Sequence, residues 1–294
     1  MRLVTFARDG GRRLGALVGD AVVDLPDLVG DAGFPQTMED LVGAGPGALA
    51  TADNALARAD GPEHTVRDAR LLVPILPGSI RDFLAFEDHV KAGSARRKEP
   101  VPEAWYEMPI YYKGNHRSVY GPDEEVPYPS FTEELDYELE VACILGGPGR
   151  DIDADDAASL IFGYTVMNDW SARDIQRKEM SVRLGPAKGK DFATSLGPCI
   201  VTADELDPAA VKLTARVDGE VWSEGSLGDA HWTFPQMIAH VSMGEDVWPG
   251  DLYGSGTFGG GCGLDLGKFL EPGAVVELEA TGIGVLRSPV GPKR

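Results

Sequence analysis

The sequence predicts a mainly β chain of the α+β type, with a few helices set among short strands. Three observations predict it. Residues 2–25 alternate short apolar runs with the turn pairs Asp9-Gly10 and Gly19-Asp20. In VKLTARVDGEVWSEG (211–225) two alternating runs flank Asp218-Gly219, a pair that suits a hairpin turn because both residues tolerate positive φ. Near the carboxyl end AVVELEATGIGVLRS (274–288) reads as another strand pair.

The elements follow in order. After the first strands, Thr37 and Asp40 stand three apart in the manner of a capping box, and an alanine-rich stretch over 48–59 carries apolar residues at helical spacing. The proline-punctuated LLVPILPGS (71–79) is extended and marks a boundary between a small N-terminal domain, 1–73, and a larger one, 74–294. Helical pattern returns over 154–162 and again near 169–180. Between these regions, LDYELEVACILG (135–146) alternates as a strand. Tyr137, Leu139, Val141 and Cys143 fall on one side; Glu138 and Glu140 share the other with Ala142 and Ile144. Two carboxylates about 7 Å apart on one face repel each other. Burying either one unpaired is costly. Either this is a sheet edge with its acidic face in water, or a divalent cation lies between the two glutamates.

Composition narrows the function. Among 294 residues, 47 are acidic and 27 basic, a formal net charge of −20. Such a surface repels phosphate backbones and anionic membranes, so neither nucleic acid nor membrane is expected as a partner. No apolar run reaches membrane-span length, and the first residues hold no signal-peptide core. The three cysteines, Cys143, Cys199 and Cys262, lie far apart and in no CxxC pair, which argues against a disulfide framework or a zinc site. A cytoplasmic location is expected.

Three further segments carry chemistry. MNDWSARDIQRKEM (167–180) holds Asp169; if Asp169 begins a helix, Arg173 lies one turn on and Gln176 a further turn. This is either an ordinary Asp–Arg pair or an aspartate pressed against the core by Trp170 and in need of a partner. RDFLAFEDHV (81–90) surrounds His89 with Asp82, Glu87 and Asp88, carboxylates able to orient the ring and raise its basicity. The following KAGSARRKEPVPE (91–103) reads as a mobile, basic loop. GSGTFG (254–259) matches GxGxxG formally but runs into more glycines, and GPAKGKD (185–191) is one residue short of a phosphate loop, with Asp191 where a hydroxyl is needed. Neither is a nucleotide site. They remain able to offer backbone N–H groups and Lys190 to an anion.

In this order the segments resemble the fumarylacetoacetate hydrolase family over most of residues 80–290. LDYELEVACILG is similar to the family's Glu-x-Glu strand, NDWSARDIQ to one of its most specific signatures, and LGPAKGKDFATSLGP and SGTFGGG to its lysine segment and glycine loop. RDFLAFEDHV and PIYYKGNH resemble the substrate-side segments of the longer members. The resemblance implies a small N-terminal β-containing domain and a C-terminal mixed β-roll or sandwich with flanking helices, paired as a homodimer. It implies a divalent cation held by Glu138, Glu140 and Asp169, with Asp82 as a fourth carboxylate. All-oxygen anionic ligands independently suit Mg2+, or Ca2+ or Mn2+, over zinc.

The activity implied is hydrolysis of a C–C bond in a β-diketo acid such as an acylpyruvate. His89 would take a proton from water, while Lys190, Gln176 and Arg173 stabilise the negative charge that develops. Tyr112, Gly256 and Thr257 match substrate-contacting positions. Short members place a glutamate three residues after the histidine; Ala92 stands there in this chain, leaving Glu87, Asp88 or an acid from elsewhere to orient His89. Leu84 occupies a position that is tyrosine in the animal-type enzyme, so fumarylacetoacetate is not the favoured substrate. The alternatives are an isomerase of an unsaturated 2-hydroxy dioate or a 2-oxo-acid decarboxylase on the same scaffold. A non-catalytic metal- or ligand-binding module is disfavoured, having no need of His89 and Lys190.

Overall fold

Strands dominate the computed structural model, which describes residues 1–59 and 64–293. Strand exceeds helix, 36% against 27%, as the turn spacing predicts. A twelve-stranded sheet runs through the molecule. Its ten-strand path begins at the N-terminal hairpins and continues through Thr194–Thr202, Ile161–Asp169, Leu139–Leu145, Asp251–Gly254, Ser79–Phe83 and Tyr111–Gly114. A five-stranded sheet, built around the hairpin Lys212–Val217 and Glu220–Ser226 and the pair Val275–Ala280 and Gly284–Lys293, packs beside it. At the first hairpin Asp218 and Gly219 take φ values of 52° and 82°, the left-handed turn their identities suggest. The N-terminal strands extend the main sheet, since Arg2 and Leu3 pair with Val201 and Ile200.

The two faces of Leu139–Leu145 enter different cores. Leu139, Val141, Cys143 and Leu145 join the larger apolar cluster, with Trp170 and the five-stranded sheet. Ala142 and Ile144 join a smaller one containing Leu25, Met38 and Leu41 from the N-terminal helices. Every residue of this strand is buried, and it is paired along both edges, to Ile161–Asp169 and to Asp251–Gly254. A solvated acidic edge is therefore excluded for it.

Helices form where capping and spacing predict two of them. Thr37 Oγ1 accepts the Asp40 N–H at 3.2 Å at the head of Met38–Ala44, and Pro46–Arg58 covers the alanine-rich stretch. Three expectations are corrected. The helix at Ala154–Ala157 passes through a 3-10 turn and gives way at Ile161 to a nine-residue strand, because aromatic and β-branched side chains of IFGYTVMND fill both faces of a fully buried position. Asp169 does not begin a helix: it ends that strand, and the helix Arg173–Ser181 starts only after Ser171-Ala172 has paired with Leu135-Asp136. The basic segment after His89 is not a loop as far as Arg97, but the body of helix Glu87–Arg97. Acids in its first turn and arginines in its last complement the helix dipole.

Candidate metal centre and active site

One end of the main sheet collects the predicted acids. Asp169 is the last residue of its strand, and Glu138 and Glu140 stand at the start of the antiparallel neighbour. Gly254 closes the next strand and lies in register with Asp82 on the one beyond. Tyr112 is directly opposite Asp82 on the last strand. Antiparallel and parallel pairing thus bring side chains from four segments to one edge. One oxygen each from Asp82, Glu138, Glu140 and Asp169 lies within 4.8 Å of the others, and all four residues are buried.

Two buried cations hold this cluster together. Lys190 Nζ donates to Glu138 Oε2 at 2.6 Å and also to Asp169 Oδ2. Arg173 Nη2 donates to Glu138 Oε1 at 2.7 Å, and its Nη1 to Gln176 Oε1 at 3.1 Å. Tyr112 donates its hydroxyl to Asp169 Oδ2 at 2.7 Å, and the Gly256 N–H donates to Glu140 Oε2 at 2.9 Å. Thr257 donates to the Leu139 carbonyl at 3.0 Å, which ties the glycine loop to the glutamate strand. Burial works against every ionised carboxyl here. At Glu138 it is overridden by Arg173 and Lys190, which hold the acid far below its usual range. At Asp82 and Glu140 burial combines with the neighbouring carboxylates and raises both well above that range. Asp169 is raised by burial even against Lys190.

His89 completes a cavity of about 250 Å3 whose floor includes Asp82, Glu138, Lys190 and Tyr112. The ring's Nδ1 lies 2.9 Å from Asp265 Oδ2. Asp265 also accepts from Arg96 at 2.6 Å and from the Gly260 N–H at 3.0 Å. Burial opposes its ionisation, but the hydrogen bond from His89 and the charges around it lower it to about 2. Glu87 instead bonds to Tyr106 and Lys91, and Asp88 is 84% exposed, so neither orients the histidine. A larger cavity of about 490 Å3, between Tyr164, Leu206, Trp232 and Phe234, contains none of these groups.

Residues 79–291 match the family described as "Fumarylacetoacetate (FAA) hydrolase C-terminal". The chain belongs to the fumarylacetoacetate hydrolase family. It is 31% identical over 259 residues to a fumarylacetoacetase of Arabidopsis thaliana, covering 69% of this chain but only 61% of that protein's length. Over 310 residues it is 32% identical to a human protein named as a mitochondrial oxaloacetate tautomerase, covering 99% and 91% of the two chains. The solved fumarylacetoacetate hydrolase of Exiguobacterium antarcticum shares the fold across both whole chains, with a TM-score of 0.80 at 26% identity. The chain spans about 60% of the length of the curated plant fumarylacetoacetases it matches.

The four carboxylates of this family member fit a divalent cation. Asp82 Oδ1, Glu140 Oε1 and Asp169 Oδ1 are buried oxygens without a hydrogen-bond partner among the described residues. Unpartnered buried carboxylate oxygens are costly, and three converging in one cluster are what a hard cation would satisfy. Gly254 leaves the room they need: a Cβ there would lie 2.6 Å from Asp82 Oδ1 and 2.8 Å from Glu140 Oε2.

Two residues of the site were not singled out from the sequence. Asp265 is one. The other is Asp136, fully buried, which accepts from Arg173 Nε at 2.8 Å and from the Gly263 and Leu264 N–H groups at 2.7 and 3.0 Å. It anchors Arg173 against Glu138 and fixes the start of Gly263–Leu266, the short helix carrying Asp265. Asp136 lies within LDYELE and its alternation was visible; its partner 127 residues away was not.

Proposed function

We propose that this chain hydrolyses a C–C bond in an acylpyruvate-like β-diketo acid, using a divalent cation held by Asp82, Glu138, Glu140 and Asp169. The observation that carries the reading is the His89–Asp265 pair at the wall of the carboxylate cavity. A carboxylate at Nδ1 makes that nitrogen the donor and leaves the lone pair on Nε2, the form a general base needs. When bound, the cation supplies Lewis-acid polarisation of the 2-oxo-acid end.

The chain's own residues would then act as follows. His89 Nε2 takes a proton from water, whose oxygen adds to the distal carbonyl carbon. The bond between that carbon and its neighbouring methylene breaks, and the electron pair passes to the pyruvate fragment. His89 returns its proton to that methylene carbon, giving a 2-oxo acid and a carboxylic acid. Lys190 has three N–H donors, of which two are engaged by Glu138 and Asp169. The third, with the Gln176 amide and Arg173, is available to developing oxyanion charge. Tyr112, Gly256 and Thr257 are assigned to the cavity wall that shapes the substrate's approach.

The likeness to a protein named oxaloacetate tautomerase favours a second reading, in which the same groups only move a proton between carbon and oxygen. Product analysis separates the two. With Mn2+ present, an acylpyruvate should lose its enol absorbance and yield equal amounts of pyruvate and carboxylic acid, and EDTA should stop the reaction. Glu138→Ala should abolish both turnover and metal binding. Loss of the enol signal without fragments would sink the hydrolytic reading.

A further inference from the structure

The cavity has two kinds of lining. Every basic side chain lining it, His89, Arg173 and Lys190, is already paired with Asp265, Asp136, Glu138 or Asp169. The rest of the lining includes Leu84, Ile110, Tyr111, Met180 and Pro186. Ile110 is 40% exposed and Met180 48%. Large apolar side chains left open at a cavity mouth mark surface that a ligand removes from water.

We propose that the physiological substrate is a monoanionic 2,4-dioxo acid whose distal substituent is an apolar alkyl or aryl group of several carbons, selected by Leu84, Ile110 and Met180. This rests on the proposed function, because it takes the 2-oxo-acid end to sit at the carboxylate cluster. A dioate placed the same way would bring its second carboxylate against the apolar wall, where no lining side chain carries a positive charge. That carboxylate would lose hydration without gaining a charged partner. It would also enter the field of a chain with a net charge of −20. An apolar tail has the opposite balance, gaining roughly fourfold in affinity for each methylene it buries.

The test uses the full chain with Mn2+ and isothermal calorimetry, with pyruvate, 2-oxobutanoate, 2-oxopentanoate and 2-oxohexanoate as probes, and 2-oxoadipate as the dioate matched to the last. Affinity should rise about fourfold per carbon from the four- to the six-carbon acid. 2-Oxoadipate should bind at least about tenfold more weakly than 2-oxohexanoate. Met180→Arg, on a half-exposed helical position that tolerates a long polar side chain, should narrow or invert that ratio. Binding of pyruvate with no chain-length dependence, or with 2-oxoadipate as tight as 2-oxohexanoate, overturns the assignment of the apolar wall and leaves the oxo-acid reading standing. Failure of pyruvate itself to bind overturns both.

Discussion

Lys190→Met separates the two cations that the site can use, one covalently built in and one bound. In the metal-free protein Lys190 is the buried counter-charge shared by Glu138 and Asp169, and its side chain is 3% exposed. Methionine fills similar volume without a charge, so packing changes little. Removing one partner of a buried ion pair costs about 3–5 kcal/mol, because the other is left uncompensated. At roughly 2 °C per kcal/mol for a chain of this size, Tm should fall by about 6–10 °C in EDTA. The assay should be run near pH 8, since at lower pH the carboxyls would take up protons and soften the loss. Mn2+ should then stabilise the variant more than the wild type, because the four acids face one internal positive charge fewer. At a hundredfold excess over Kd a ligand adds about 2.7 kcal/mol. The variant's gain should exceed the wild type's, which at that excess is roughly 5 °C. An unchanged Tm in EDTA, or equal Mn2+ shifts in the two proteins, would refute the view that Lys190 and a metal ion neutralise the same carboxylates.

Other outcomes follow from the same geometry. Asp265→Asn should leave Mn2+ affinity within about twofold while lowering kcat for hydrolysis by roughly 10²–10⁴, the range of a positioned general base; a matching loss of metal binding would argue instead for a collapsed site. Gly254→Ala should weaken Mn2+ binding by at least tenfold in calorimetry, since its Cβ would meet carboxylate oxygens of Asp82 and Glu140 at 2.6 and 2.8 Å. Metal-free stability should depend on pH with a distinctive sign. Asp82, Glu140 and Asp169 are raised in the folded protein, so above their ordinary values of 3.8 and 4.5 the native state binds more protons than the unfolded one. Unfolding free energy therefore falls as pH rises through the raised range. Glu138, held low, contributes stability that is lost only as pH falls below its ordinary 4.5. Denaturant midpoints from pH 5 to 8 should decline in EDTA and flatten or reverse with Mn2+; a rising midpoint in EDTA would contradict the assigned directions.

Much of the centre was legible along the chain because its parts are local motifs. Glu138 and Glu140 share a face by the two-residue period of a strand, and that face is the one Ala142 and Ile144 turn toward the smaller core. Asp169, Arg173, Gln176 and Lys190 lie in one short signature and the loop after it. The hairpins were equally plain, since Asp218-Gly219 states its own turn. Asp169 was misplaced at a helix start because strand and helix patterns meet within four residues of it, and only pairing to Leu139–Leu145 and Thr194–Thr202 decides between them.

The sequence by itself supplied the groups proposed for the centre: carboxylates, a lysine, an arginine and a histidine. Tertiary structure decided which of these face one another. The partner of His89 is Asp265, 176 residues away, and Asp136 reaches Gly263 across 127. No local periodicity encodes such pairs. They exist because sheet order sets the Glu138–Glu140 strand between those ending at Asp169 and Gly254, and the glycine loop then folds back over all three. The apolar mouth is likewise a product of the fold. Leu84, Ile110 and Met180 are unremarkable in sequence and become one wall only when three separate segments close on the cavity.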